Sequence, residues 1–239
     1  MIQAKTQSLT HRTMAFYGLP HMTHSIVILP MVLFIPSFYA DDLALPLASV
    51  GLAVAASRLF DVVTDPLVGI LSDRLHTRWG RRKPWMALGT PLLVLSTWMV
   101  FVPGNESSIR YLLLWTCLLF LGFTIFDLPY KAWGAELSTD YHERSRVAAW
   151  RAGFGSAGHI FFLAIIVVLT QTGHQENSSQ LLVIALMVVT CMPILVAFTL
   201  LKVHERQPEK LDGEMTTGWS GFKLIFRNRA FIRTLIALL

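Results

Sequence analysis

Residues 45–85 read LPLASVGLAVAASRLFDVVTDPLVGILSDRLHTRWGRRKPW. From Leu45 to Leu71 the stretch is apolar apart from Arg58, Asp61 and Asp65 and a few hydroxyl residues. That is long enough to cross a hydrocarbon core, which takes about 20 helical residues. It then meets a turn carrying Arg74, Arg78, Arg81, Arg82 and Lys83. A long apolar run joined to a short, strongly basic turn is the pattern of a membrane helix leaving the bilayer on its cytoplasmic side.

Outward from this stretch the pattern repeats. Apolar runs at about 14–38, 45–71, 84–103, 110–136, 147–171 and 179–203 predict six spans, and another apolar segment begins near Ala230. The composition agrees: 54% of residues are hydrophobic and 15% charged, where a soluble domain carries about 25% charged residues. The fold class expected is all-α integral membrane: a six-helix bundle over 1–203, a linker over 204–229, and the start of a seventh helix over 230–239. Short turns are expected at Ala40-Asp41-Asp42 and at Pro103-Gly104-Asn105-Glu106. Cys117 and Cys191 fall inside apolar runs and read as packing residues, with no disulfide or metal site. The first apolar run is too long for a signal peptide, and none is expected.

The net charge of +5 does not imply a nucleic-acid partner, because the basic residues are sorted by loop. Lys5 and Arg12 precede the first span, the basic turn follows the second, and Arg144 and Arg146 follow the fourth. Lys202, Arg206, Lys210, Lys223, Arg227, Arg229 and Arg233 follow the sixth, and the opposite loops hold only Arg110. The positive-inside rule therefore puts the N-terminus and the 204–229 linker in the cytoplasm. The triplets Asn105-Glu106-Ser107 and Asn177-Ser178-Ser179 then fall in the outside loops.

Ionisable groups inside spans are costly and mark candidate sites. Arg58, Asp61 and Asp65 are spaced by three and four and share one helical face, as do Thr124, Asp127 and Lys131 on the fourth span. Two carboxylates one turn apart in a low dielectric repel unless a cation or proton lies between them. Asp61 and Asp65, completed by Thr124 and Asp127, therefore form a candidate Na⁺ or H⁺ site. A static network pairing Arg58 with Asp61 and Lys131 with Asp127 is the competing reading, and in it Asp127 is not free for a cation. Arg58 is assigned to charge balance or gating. Arg151 and His159 lie on the fifth span, with His159 read as packing. His21 and His24, one turn apart on the first, read equally as substrate or proton groups and as packing residues.

In the basic turn, Asp73 is placed to pair with Arg74, Arg81 or Arg82 and with a neighbouring helix N-terminus. Gly69 is expected to permit close helix approach and Gly80 a tight turn. Gly153-Phe154-Gly155-Ser156-Ala157-Gly158 matches a dinucleotide fingerprint in letters only: no strand precedes it, and small residues in an apolar span read as helix packing. Pro20, Pro30 and Pro36 are expected to bend the first span. Trp79, Trp85 and Trp133 are expected as interface anchors.

The basic turn resembles the loop signature of the major facilitator superfamily. The run from Arg58 to Pro66, Gly69 and the Arg78–Trp85 segment resemble the glycoside–pentoside–hexuronide:cation symporter family, of which the melibiose permeases are members. So do Asp127-Leu128-Pro129-Tyr130, Trp133 to Ser138, and Tyr141 to Arg146 through Arg151. The resemblance implies a twelve-helix fold of which this chain supplies the first six helices, with the C-terminal half as its partner. It implies alternating-access symport of a sugar or derivative in a cell membrane, bacterial inner membrane by preference. No cofactor is implied beyond a coupling Na⁺ or H⁺, and no enzymatic activity. Asp61, Asp65 and Thr124 match cation ligands, and Asp127 and Arg151 match sugar-holding positions. Two departures count against a galactoside: the Gly18–His24 stretch has no acid, and Lys131 stands where an aromatic platform is expected. Lys131 with Arg151 would suit an anionic substrate such as a hexuronide. Lysolipid symport and a non-transporting membrane protein with structural charges are the alternatives.

Overall fold

The computed structural model describes residues 9–74, 77–104, 107–173 and 176–205. The chain divides into two units, residues 1–206 and 207–239. The second unit lies outside the described residues, and with it nearly all of the expected linker and the 230–239 segment.

Six long helices carry the first unit: α1 (His11–Leu33), α2 (Leu47–Arg74), α3 (Lys83–Phe101), α4 (Ile109–Glu136), α5 (Tyr141–Gln171) and α6 (Asn177–Lys202). Each is long and apolar enough to cross a membrane. Helices satisfy their backbone groups internally, which is what hydrocarbon demands. Among the described residues there is no strand beyond a lone bridge between Thr77 and Gly80. α1 lies against α5 and α6, α4 lies against α2 and α3, and α3 also meets α6. The seam is filled by Met14, Tyr17, Met86, Leu93, Phe126, Tyr130, Trp133, Ile184 and Val188. α2 and α5 bury the least of themselves. Leu59, Val62 and Leu67 on α2, and Ile160, Leu163 and Val167 on α5, point outward.

Pro20 of α1 is accommodated by a neighbouring helix. Pro20 has no N–H to offer the carbonyl four residues back, that of Phe16. The Thr199 hydroxyl on α6 donates to that oxygen instead, at 2.6 Å. Thr199→Val keeps the shape and removes the donor, leaving a part-buried carbonyl unpaired at a cost of about 1 kcal/mol. Thermal unfolding in detergent should show the loss; an unchanged Tm would mean that this hydroxyl does not support α1 at Pro20.

The helix ends depart from the hydropathy reading in three places. The first span does not turn at Ala40-Asp41-Asp42: a helical turn at Ile35–Ser37 and a π-helical turn at Phe38–Asp42 carry it on, and the connection is Leu43–Pro46. The Leu43 N–H reaches back to the Phe38 carbonyl, which keeps the acidic pair helical. α5 begins at Tyr141, before its apolar stretch, because Asp140 caps it by accepting from the Glu143 N–H at 2.9 Å. Arg144 and Arg146 are therefore helical residues. Asn177 likewise opens α6 rather than lying in a loop; Asn105 lies outside the described residues.

Two of the three expected tryptophan anchors are instead buried. Trp85 and Trp133 belong inside the bundle, and Trp79 alone of the three is exposed. Trp133 packs edge-on to Tyr17 with Lys83 Nζ over its ring, so the bundle rather than the bilayer surface supplies its partners. Within the glycine run of α5, Gly155 and Gly158 pack against α1, where a Cβ at Gly158 would strike the Met22 carbonyl, while Gly153 faces open space.

Candidate cation and substrate site

α2 and α4 face each other across their charged positions. The Thr124 Oγ1 lies 2.7 Å from Asp61 Oδ1 and 2.7 Å from Asp65 Oδ1. A threonine hydroxyl has one proton and can donate to one of these oxygens at a time. The other close oxygen pair needs a proton or a cation to hold it. Both aspartates are half-buried, and Thr124 is 4% exposed.

These residues line a cavity of about 250 Å³ together with His24, Arg58, Asp127 and Lys131. Three carboxylates against two cations leave the lining with one negative charge in excess while His24 is neutral. Arg58 does not pair with Asp61: its guanidinium lies over the Phe120 ring, 4.0 Å from the centroid. A cation held on a ring face leaves both aspartates open to the cavity. Of the static network, only the Lys131–Asp127 pair is present, with Nζ 2.5 Å from Oδ2. Asp127 thus stands beside the Asp61, Asp65 and Thr124 cluster with a cation of its own.

On the other side of Asp127 is α1. His24 Nε2 lies 3.8 Å from Asp127 Oδ1. The His24 ring is enclosed by Phe123 and Phe126 and stacks on His21. Tyr17 and Tyr130 clamp α1 to α4 beneath it, each hydroxyl donating to the other's backbone carbonyl at 2.7 Å. Arg151 lines a second cavity, of about 370 Å³, with Tyr17, Gly134 and Arg144; Lys131 borders both cavities. The Arg151 Nε is buried without a partner. His159 is half-buried on α5.

The model of a family described as "MFS/sugar transport protein" matches residues 16–239. The chain belongs to this family of major facilitator transporters. It is 30% identical over 184 residues to an "uncharacterized symporter" of Synechocystis sp., covering 73% of this chain and 34% of that protein. It is 29% identical over 164 residues to a "putative glycoside/cation symporter" of Escherichia coli, covering 67% and 36%. It is 38% identical over 116 residues to the "sodium-dependent lysophosphatidylcholine symporter 1" of Mus musculus, covering 45% and 22%. The chain spans about a third of the length of the first two relatives. The all-helical architecture is that of the N-terminal half of a major facilitator transporter, a multi-pass membrane protein.

At the end of the major facilitator bundle that holds the basic turn, a second charged group is assembled. Arg82, 5% exposed, reaches Glu136 at 2.7 Å, Asp73 at 2.7 Å and the Ser72 hydroxyl at 3.3 Å. Arg81 meets the same Glu136 oxygen at 2.7 Å. Burial alone would lower the Arg82 pKa, but Glu136 and Asp73 outweigh it and hold the guanidinium above its usual range. The expected role of Asp73 at a helix N-terminus is taken by a different residue. Glu205, just past α6, accepts from the backbone N–H groups of Arg81, Arg82 and Lys83 at 2.6, 2.9 and 3.3 Å. Those are orphan donors at the positive end of α3, where a carboxylate is favoured.

Gly80 makes the expected tight turn, with φ +111° and reciprocal backbone bonds to Thr77. A Cβ there would collide with the Glu205 carboxylate. Gly69 differs from expectation: a Cβ at that position meets open space, so no described residue makes the close approach. Glu205 was not singled out from the sequence. Its signal is an acid directly after the last apolar run, on the same side as the basic turn.

Proposed function

We propose that this chain forms the first half of a cation-coupled symporter that works by alternating access. Asp61, Asp65 and Thr124 hold the coupling Na⁺ or H⁺. The observation that carries this reading is the single Thr124 hydroxyl set 2.7 Å from two carboxylate oxygens, an arrangement short of one positive charge. Asp127, Lys131, His21, His24 and Arg151 form the substrate face. Asp127, paired with Lys131, acts on substrate rather than as a fourth cation ligand. Substrate is a sugar or sugar derivative, and Lys131 with Arg151 favours an anionic one such as a hexuronide. A cation at Asp61 and Asp65 cancels the excess negative charge of the cavity and so raises affinity for an anionic substrate; by linkage, substrate raises cation affinity by the same factor. The outward apolar faces of α2 and α5 meet the second half of the transporter and lipid. The basic turn and the end of α6 face the cytoplasm of a bacterial cell.

The test uses energy-depleted cells producing this chain extended through a second half. External pH and Na⁺ are recorded while glycosides, pentosides and hexuronides are added singly. Uptake of one cation species triggered by one sugar class, and strongest for an acidic sugar, is the expected result. No cation movement with any sugar, in a protein shown to be inserted, would overturn the sugar reading. The likeness to a sodium-dependent lysophosphatidylcholine symporter supports a second reading, an amphipathic lipid as substrate. Na⁺ uptake driven by a lysolipid and by no sugar would favour it.

A further inference from the structure

The face formed by His21, His24 and Asp127 has a donor set whose chemistry goes beyond holding a sugar. We propose that these three residues form a binding site for a late first-row divalent metal ion of the Zn²⁺ and Co²⁺ class. His21 and His24 are one turn apart on α1, and Asp127 faces them from α4. One ligating atom from each lies within 4.8 Å of the other two. Ligands of a tetrahedral ion with bonds of about 2.0–2.1 Å stand roughly 3.4 Å apart. The 3.8 Å between His24 Nε2 and Asp127 Oδ1 is a few tenths of an ångström more. The other ligand pairs lie within 4.8 Å, so closing the shell on an ion takes side-chain movement of up to about 1.4 Å.

The second observation is polar atoms with nothing to bond. His24 is 4% exposed, and neither of its ring nitrogens has a partner; His21 Nδ1 and Asp127 Oδ1 are likewise buried and unpartnered. Buried polar groups are nearly always paired, so unpartnered atoms on three neighbouring residues, with one nitrogen of each ring and Asp127 Oδ1 available, mark a ligand position. A proton shared between His24 and Asp127 would satisfy one nitrogen and leave the others. Two imidazoles and a carboxylate are a recurring three-ligand set for zinc, with a fourth position left open, here toward the cavity.

The surroundings complete the case. Lys131 occupies only Oδ2 of Asp127, leaving Oδ1 for the ion, and ligating carboxylates commonly have such an outer partner. Asp61 and Asp65 in the same cavity offset the positive charge of Lys131. Gly155 of α5 faces the His21 ring; a Cβ there would approach it to 2.7 Å, so glycine leaves the ring room to turn.

The test is a Co²⁺ titration of the purified chain in detergent with any affinity tag removed, followed by Zn²⁺. The expected result is intense visible d–d absorption of tetrahedral cobalt, saturating at one ion per chain and bleached by Zn²⁺. His21→Ala and Asp127→Asn should each weaken binding by at least ~100-fold, since loss of an outer-shell partner alone costs 10–100-fold. His142→Ala, at an exposed histidine of α5, should leave it unchanged. His21 is only half-buried, and unfolding without metal checks that its variant is folded. Absent or weak octahedral bands, or binding that survives His21→Ala, would overturn the proposal. The readout is independent of transport, so its failure leaves the symport reading standing.

Discussion

Asp65→Asn is expected to abolish substrate-driven cation uptake in a chain extended through a second half while leaving the bundle folded. Asparagine keeps the shape and can still accept the Thr124 hydroxyl that lies 2.7 Å from Asp65. What it removes is the charge that makes the cluster short of a cation. Losing a charge-assisted interaction of about 3 kcal/mol corresponds to roughly 100-fold or more in coupled flux. Stability should hold or rise, because one of two neighbouring carboxylates no longer repels the other. Flux and thermal unfolding measured on the same preparation separate the readings. If the intramembrane charges were structural, Asp65→Asn would lower Tm, and the transport account would lose its coupling site.

The largest effect on stability is expected from Gly80→Ala. A side chain at φ +111° costs about 1–2 kcal/mol by itself. The new Cβ also displaces Glu205 from three backbone N–H groups at the start of α3. A charge-assisted bond of that kind is worth about 1.5–3 kcal/mol, so the combined loss is about 3 kcal/mol or more. Gly153→Ala is the control: a Cβ there meets nothing, and alanine is the better helix former. Unfolding by heat in detergent should order the proteins Gly153→Ala, parent, Gly80→Ala. Equal stability of the parent and Gly80→Ala would mean that Glu205 does not anchor the basic turn.

Much of this was legible in the sequence because the bilayer imposes a strict length rule. Runs such as 110–136 have one physical use, and the helix Ile109–Glu136 meets it. Spacing of three and four put Asp61 and Asp65 on one face and Thr124 on one face of another helix, and the structure brings those faces together. Helix ends were less legible. Hydropathy marks where lipid contact stops, while the helix stops where its cap is, so Tyr141–Arg146 was read as loop before α5. Apart from Thr124, which shares the charged face of its helix, partners remote in sequence were not legible. Nothing local in Arg58 points to Phe120, and nothing local in Glu205 points to the N–H groups of Arg81–Lys83. Trp133 misled for the same reason: an aromatic near a span end reads as an interface anchor until Tyr17 and Lys83 are seen around it.

Asp61, Asp65 and Thr124, proposed to hold the coupling cation, all lie within this chain. The most direct measurement is therefore cation binding to the purified 239-residue protein, with radioactive Na⁺ binding and proton exchange followed together. One Na⁺ or one proton should bind per chain, and that binding should be lost in both Asp61→Asn and Asp65→Asn. Identical Na⁺ and proton stoichiometry in the parent and in both variants would contradict it.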